Sequence, residues 1–168
     1  MTGDDRPPAA PTAARVTTDQ TAGVVAFPPL IVAVPLVVGL ALQYLLPIAP
    51  LHEALRWFGA AGIGAGLALI GWTARALRVR RTHVNPFRPT SELVTDGPFA
   101  WSRNPIYLGF CLIYLGVGIA ARAGWVVLFF PLMVAVLDRG VIRREERYLR
   151  TLFGVAYDAY RARVRRWL

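Results

Sequence analysis

From Val24 to Leu46 the chain carries no charge over 23 residues. About 20 apolar residues cross a bilayer core, so this stretch predicts a membrane-spanning helix. Pro28, Pro29 and Pro35 lie within it and can kink the helix or delay its start. Pro47 and Pro50 mark a short turn. A second span is expected from Leu55 to Leu77, with an uncharged centre from Trp57 to Ala74. Then follows a polar connection, Arg75 to Asn104, carrying Arg75, Arg78, Arg80, Arg81, Arg88 and Arg103. Two more apolar runs, Pro105 to Ala121 and Ala123 to Leu137, are only 17 and 15 residues long. They read as a tight helical hairpin, tilted or not fully spanning. The pattern therefore predicts an all-α polytopic membrane bundle of about four spans.

The two ends of the chain differ from this core. Residues 1–22 are rich in Ala, Pro, Thr and Asp, lack an apolar period and read as a disordered tail, with the membrane domain at 23–168. The tail does not read as a signal peptide, because no charged segment leads directly into a short apolar core. From Arg139 onward apolar residues recur at Tyr148, Leu149, Leu152 and Phe153, then at Tyr157, Tyr160 and Val164. That spacing predicts an amphipathic helix, a break at Gly154 and a second helix, lying in the membrane interface with arginines on their polar faces.

Composition agrees with the pattern. Hydrophobic residues make up 55% of the chain and charged ones 17%, against roughly 45–50% and 25% in soluble proteins. All 19 basic residues are arginine, which points to a G- and C-rich bacterial genome. Sixteen of them lie from Arg75 onward, against six acidic residues. Beside membrane spans such an excess faces the cytoplasm and anionic lipid rather than nucleic acid. The Arg75–Asn104 connection and both termini are thus expected on the cytoplasmic side of a bacterial inner membrane. Cys111 is the only cysteine, so no intramolecular disulfide forms. His52 and His83 are far apart, and no metal site is expected.

Several motifs invite chemistry. "GAAGIGAG", Gly59 to Gly66, contains the G-x-G-x-G of nucleotide-binding loops. It lies inside an expected membrane helix with no strand before it, so close packing through Gly62 and Gly66 is the better reading. Glu145 and Glu146 in "RREERYL" read, on composition alone, as a solvated face with local Arg–Glu pairs. Asp138 and Arg139 close the fourth span, where ionisable groups pair, line a cavity or anchor the interface. In "SRNPIY", Asn104 suits a helix cap, Pro105 a first turn, and Arg103 a lipid phosphate. No Ser–His or Cys–His pairing is visible.

The combination is more specific than its parts. "LVTDGPFAWSRNPIYLG", a hydrophobic hairpin, and "REERYLRTLFGVAYDAYRARVRRWL" together resemble the integral-membrane methyltransferases that include isoprenylcysteine carboxyl methyltransferase and the phospholipid N-methyltransferases. The resemblance covers Thr82 to Leu168. It implies methyl transfer from S-adenosylmethionine, held at the cytosolic mouth of the bundle, to a small or lipid-like acceptor entering from the bilayer. By that resemblance Leu93 and Val94 pack at the cofactor. Phe99, Asn104, Pro105 and Tyr107 line the same pocket, and Glu145 takes the cofactor's amino group. Arg103 and Arg139 hold a carboxylate or the acceptor. Aromatic faces at Phe99, Trp101 or Tyr107 suit the sulfonium. Asn104 stands where the eukaryotic enzyme has histidine, Phe99 where tyrosine is common, and Ser91 where that enzyme has a cofactor-binding histidine. These departures argue against a prenylcysteine acceptor. Two rivals remain: a nicotinamide-dependent membrane reductase of the sterol reductase type, and a non-enzymatic membrane protein.

Overall fold

A computed structural model describes residues 26–80 and 92–168. The expected N-terminal tail, Ser91, and most of the first half of the polar connection lie outside the described residues. Among those described, every regular element is helical: α1 (Pro28–Leu45), α2 (Arg56–Val79), α3 (Pro105–Ala120), α4 (Gly124–Leu137), α5 (Arg143–Phe153) and α6 (Val155–Arg163). One-turn 3₁₀ segments, Glu53–Leu55 and Gly97–Ala100, precede α2 and α3.

The prolines act as the sequence suggests. Pro28 and Pro29 occupy the first turn of α1, where a missing N–H costs nothing, and so delay its start. Pro35 lies inside the same helix. At about 1.5 Å per residue, α1 is about 27 Å long and α2 about 36 Å, close to or beyond a hydrocarbon core of about 30 Å. Among the described residues, three helical stretches are long and apolar enough to cross a membrane: Pro28–Leu45, Glu53–Val79 and Gly124–Phe153. The shorter α3 reaches only about 24 Å, so it spans the core only with local thinning of the bilayer.

The last of these stretches keeps the expected fourth apolar run as α4 and corrects only the separateness of the interfacial helix that follows it. The chain runs from α4 into α5 without a break, through a five-residue π-turn, Asp138–Ile142. The apolar part ends at Leu137, and α5 is its charged continuation beyond the hydrocarbon. The break expected at Gly154 is present: this residue has φ +50°, a conformation that favours glycine, and α6 starts directly after it.

In cross-section α1 packs on α4, α4 on α3 and α3 on α2. The core lies where α1, α3 and α4 meet, around buried Tyr114, Val126, Met133 and Leu137. The seam between α2 and α3 is built from glycine. A Cβ on Gly59 would stand 2.6 Å from the Gly116 carbonyl oxygen, and one on Gly66 would stand 2.7 Å from that of Gly109. The "GAAGIGAG" segment is thus a packing surface, with one change to the expectation. Gly59 and Gly66, two helical turns apart, are the tight positions. Gly62 sits at an ordinary 3.5 Å from its neighbour, and Gly64 meets nothing within 4 Å.

Opposite the charged end, the turns are tied by neutral backbone acceptors. Arg122, at φ +55°, donates from Nε to the Leu51 carbonyl at 2.8 Å, and the Trp125 indole N–H donates to that of Leu46 at 2.8 Å.

Candidate active site

The glycine face of α3 meets α2, which turns Tyr107, Cys111 and Tyr114 into the bundle, all buried at helical spacing. Tyr107 is the first of this stripe and stands within the first turn of α3. Its hydroxyl donates to Glu145 Oε1 at 2.6 Å. The pair joins α3 to the charged extension of α4, at the edge of the apolar zone. Burial raises the Glu145 carboxyl from its ordinary range to about 7; the Tyr107 hydrogen bond opposes that rise and neighbouring Glu146 adds to it.

Glu146 points elsewhere, since adjacent helical residues diverge by about 100°. It accepts from Arg166 Nη2 at 2.6 Å and Nε at 3.1 Å, and pairs with Arg103 Nη2 at 3.0 Å. The side chains of Arg103 and Glu146 are only 8% and 11% exposed, so this is a buried ion pair and not a solvated helix face. Arg166 also reaches Asp138 at 3.1 Å, and Asp138 pairs with Arg143 at 2.6 Å. The sequence reading of Glu146 as solvated and of Arg103 as a lipid-phosphate contact is therefore corrected. Each has a protein partner that is distant in sequence.

The segment before α3 is fastened to the C-terminal segment by backbone acceptors. Arg103 N–H donates to the Arg165 carbonyl at 3.0 Å. The Ser102 hydroxyl and the Asn104 amide each donate to the Arg166 carbonyl at 3.1 Å. Asn104 does occupy the cap position, and its own carbonyl accepts from Leu108 N–H at 3.0 Å. Its side chain does not cap the helix, because it is committed to Arg166. Pro105 stands at the first position, as expected. The Tyr160 hydroxyl donates to the Phe99 carbonyl at 2.7 Å, and the Tyr157 and Tyr160 rings meet edge to face at 6.2 Å. Burial pushes the Tyr157 phenol up to about 12 and raises that of Tyr160 as well, so both remain neutral.

Of the expected residues, the structure brings Tyr107 and Glu145 into direct contact. Phe99, Arg103, Asn104 and Pro105 lie on the adjoining segment. Val94 is buried and Leu93 half-buried, in a stretch whose Glu92 and Asp96 are both paired with Arg80 at the end of α2. Arg139 is exposed and lines a groove with Glu146 and Arg166. The described polar contacts do not link Leu93, Val94 or Arg139 to the Tyr107–Glu145 pair. Trp101 is 73% exposed, which removes it from the buried aromatic candidates. Sequence reasoning missed Arg166, whose side chain pairs 20 and 28 residues away, and Ser102 and Tyr160, whose partners lie 64 and 61 residues away. Only the arginine-rich run "YRARVRRWL" hinted at Arg166.

The chemistry of this donor set suits a zwitterionic cationic ligand. The Tyr107 hydroxyl fixes one oxygen of the Glu145 carboxyl, and a carboxylate so held is chemically suited to an ammonium. Arg103 Nε and Nη1 are buried without a hydrogen-bond partner among the described residues, a geometry that suits a carboxylate.

Comparison with known proteins follows the same line. Residues 54–156 match the family model for phospholipid methyltransferase. A Protein-S-isoprenylcysteine O-methyltransferase from Schizosaccharomyces pombe is 38% identical over 72 residues, covering 43% of this chain and 30% of that protein. The cobalt-zinc-cadmium resistance protein CzcN from Cupriavidus metallidurans is 31% identical over 93 residues, covering 54% of this chain and 39% of its own length. The chain thus spans well under half the length of these curated relatives. No solved structure matches it significantly. With more than half of its residues inside the family model, and with the polar motifs of that region gathered at one end of a membrane bundle, the chain belongs to the phospholipid methyltransferase family.

Proposed function

We propose that this protein transfers a methyl group from S-adenosylmethionine to a lipid-like acceptor at the membrane surface. The observation that carries this reading is the division of labour between two adjacent carboxylates. Glu146 is saturated by Arg103 and Arg166, whereas Glu145 has only the Tyr107 hydroxyl as a side-chain hydrogen-bond partner among the described residues. Glu145 is therefore the carboxylate available to the cofactor's ammonium. Arg103, whose Nε and Nη1 lack a hydrogen-bond partner among the described residues, is assigned to its carboxylate, and Phe99, Asn104 and Pro105 to the adjoining wall. Leu93 and Val94 are assigned to the cofactor by family resemblance alone. Arg139 is assigned to the acceptor side.

When bound, the cofactor supplies a methyl carbon already activated by a sulfonium. The protein's part is then to position, to exclude water and to hold charge. For a carboxylate or thiolate acceptor no general base is required, which accounts for a site without a nucleophile–base dyad. The acceptor is expected to enter from the bilayer along α3. Both termini are expected in the cytoplasm; a reporter fused after Leu168 should read as cytoplasmic, and an extracytoplasmic signal would reverse the orientation.

The decisive test is calorimetry with S-adenosylmethionine on detergent-purified wild type, Glu145→Gln and Glu146→Gln, with thermal melts alongside. Loss of one charge-assisted hydrogen bond costs roughly 1.5–3 kcal/mol, or about tenfold or more in affinity. Glu145→Gln should lose that much affinity at an unchanged melting temperature, whereas Glu146→Gln should chiefly lower the melting temperature. Equal affinity in wild type and Glu145→Gln would remove the cofactor role. Tighter binding of a reduced nicotinamide dinucleotide than of S-adenosylmethionine would favour a reductase.

A further inference from the structure

A second concave feature lies on the Glu146 side of α5. It is a groove of about 340 Å³ walled by Arg139, Arg143, Arg147 and Arg150 from the π-turn and α5, Arg161 from α6, and Arg166 from the C-terminal segment. Arg143, Arg147 and Arg150 recur at i, i+4 and i+7 along one face of α5, and Arg139 joins them from the π-turn. Six guanidinium groups face three described carboxylates. Asp138 pairs with Arg143 and Arg166, Glu146 with Arg166, and Asp158 with Arg150. Arg139, Arg147 and Arg161 have no carboxylate partner among the described residues. So much like charge in one concavity repels itself unless an anion enters.

The cofactor proposed above does not fit this groove. With an ammonium, a sulfonium and one carboxylate it is a net cation. A compact, multiply charged oxyanion does fit, since guanidinium groups grip phosphate oxygens through paired N–H donors. The position of the groove identifies where that anion comes from. The apolar part of the last span ends at Leu137, and the arginines begin two residues later on the same continuous helix. At about 1.5 Å per residue, Arg139 and Arg143 stand about 3 and 9 Å beyond the apolar boundary. The headgroup layer occupies roughly the first 5–8 Å there, so the groove opens within it at Arg139 and extends past it towards Arg147, about 15 Å out along the helix.

We propose that this groove binds the phosphate of an anionic lipid headgroup, at a site separate from the Tyr107–Glu145 pair. Such a lipid is held by its phosphate while its chains remain in the bilayer. It braces α5 and α6 against the membrane surface without reacting. The proposal does not require methyl transfer, although the groove shares Arg139 with the acceptor side assigned above.

The test uses the full chain in neutral detergent, titrated calorimetrically with dioctanoyl phosphatidate. Dioctanoyl phosphatidylcholine serves as the chain-matched zwitterion, and inorganic phosphate as the chain-free anion. Arg147→Gln/Arg161→Gln should weaken phosphatidate binding at least tenfold. The doubly substituted Arg75→Gln/Arg78→Gln loses the same charge outside the groove and should bind as wild type does. Thermal melts establish that both variants are folded, and both replaced pairs are exposed. Phosphatidate should bind more tightly than either control ligand, and its binding should weaken with added salt. Equal loss in the two double variants would mean diffuse surface charge and overturn the site. Equal affinity for phosphatidylcholine would do the same. Equal affinity for inorganic phosphate would overturn the assignment to lipid.

Discussion

The α2–α3 seam and the charged end of the bundle hold the same helix, α3, by opposite means. In the seam, glycines let two backbones touch, and the tight positions on α2, Gly59 and Gly66, recur after two turns. At the charged end, α3 begins beneath a knot of buried ions whose partners come from four separate stretches of chain. The seam is stabilised by dispersion and by the absence of side chains. The knot is held by groups that each cost free energy to bury and that repay it only together. A protein with both has a scaffold tolerant of change on its outer face and a site intolerant of losing any one charge.

The largest effect should come from the knot. Arg103→Met strands Glu146 with one arginine in place of two. Breaking a buried pair costs roughly 3–5 kcal/mol; because Arg166 remains, the lower end is expected, read as a lowered midpoint of denaturant unfolding in detergent. A loss below 1 kcal/mol would mean that the seam alone carries stability. Next comes the seam itself. Gly66→Ala places a methyl 2.7 Å from the Gly109 carbonyl oxygen and the Ile113 side chain, and overpacking of this kind costs roughly 1–3 kcal/mol. The same assay checks it, and a neutral result would show that the helices separate freely.

A third effect sharpens the contrast from the side of binding. With its carboxyl raised to about 7, Glu145 must lose a proton before it can hold an ammonium. The affinity for S-adenosylmethionine should therefore be constant above neutrality. It should fall by up to tenfold per pH unit below about 7, about 1.4 kcal/mol each. Calorimetry at pH 8 and pH 6 measures this, and Glu145→Gln should abolish the slope. A slope that survives in that variant would place the titrating group elsewhere. The smallest effect is expected at Gly64→Ala. Nothing lies within 4 Å of that position, so stability and cofactor affinity should both stay within about 0.5 kcal/mol. A large loss of affinity there would return the glycine segment to the role of a nucleotide loop.

The two regions were unequally legible in the sequence. Helix positions followed from uncharged runs, and α3 and α4 fell within a residue of their expected bounds. The glycine seam was readable as packing, but the period of seven was not, because which of Gly59, Gly62, Gly64 and Gly66 touches α3 depends on the facing helix. At the charged end the resemblance singled out Glu145, while the fate of Glu146 was hidden. Its partners, Arg103 and Arg166, lie 43 and 20 residues away, and no periodicity within a helix reports on such distances. Asn104 was read as a cap because caps are local. The competing carbonyl of Arg166 becomes adjacent only after α6 has folded back.

The π-turn between α4 and α5 acts as a phase shifter. It accommodates one residue more than an α-turn does, and such bulges are frequent at functional sites. Everything after Ile142 is consequently displaced by about 100° from where an unbroken α-helix would set it. A helical wheel drawn straight through Leu137–Arg143 would exchange the outlooks of neighbouring side chains. It would turn Glu145 away from Tyr107. In the language of insertions and deletions, one residue gained or lost within Asp138–Ile142 can be absorbed by switching between the two helical forms. One gained within Arg143–Glu145 cannot, and it would hand the inward-facing position to the wrong side chain.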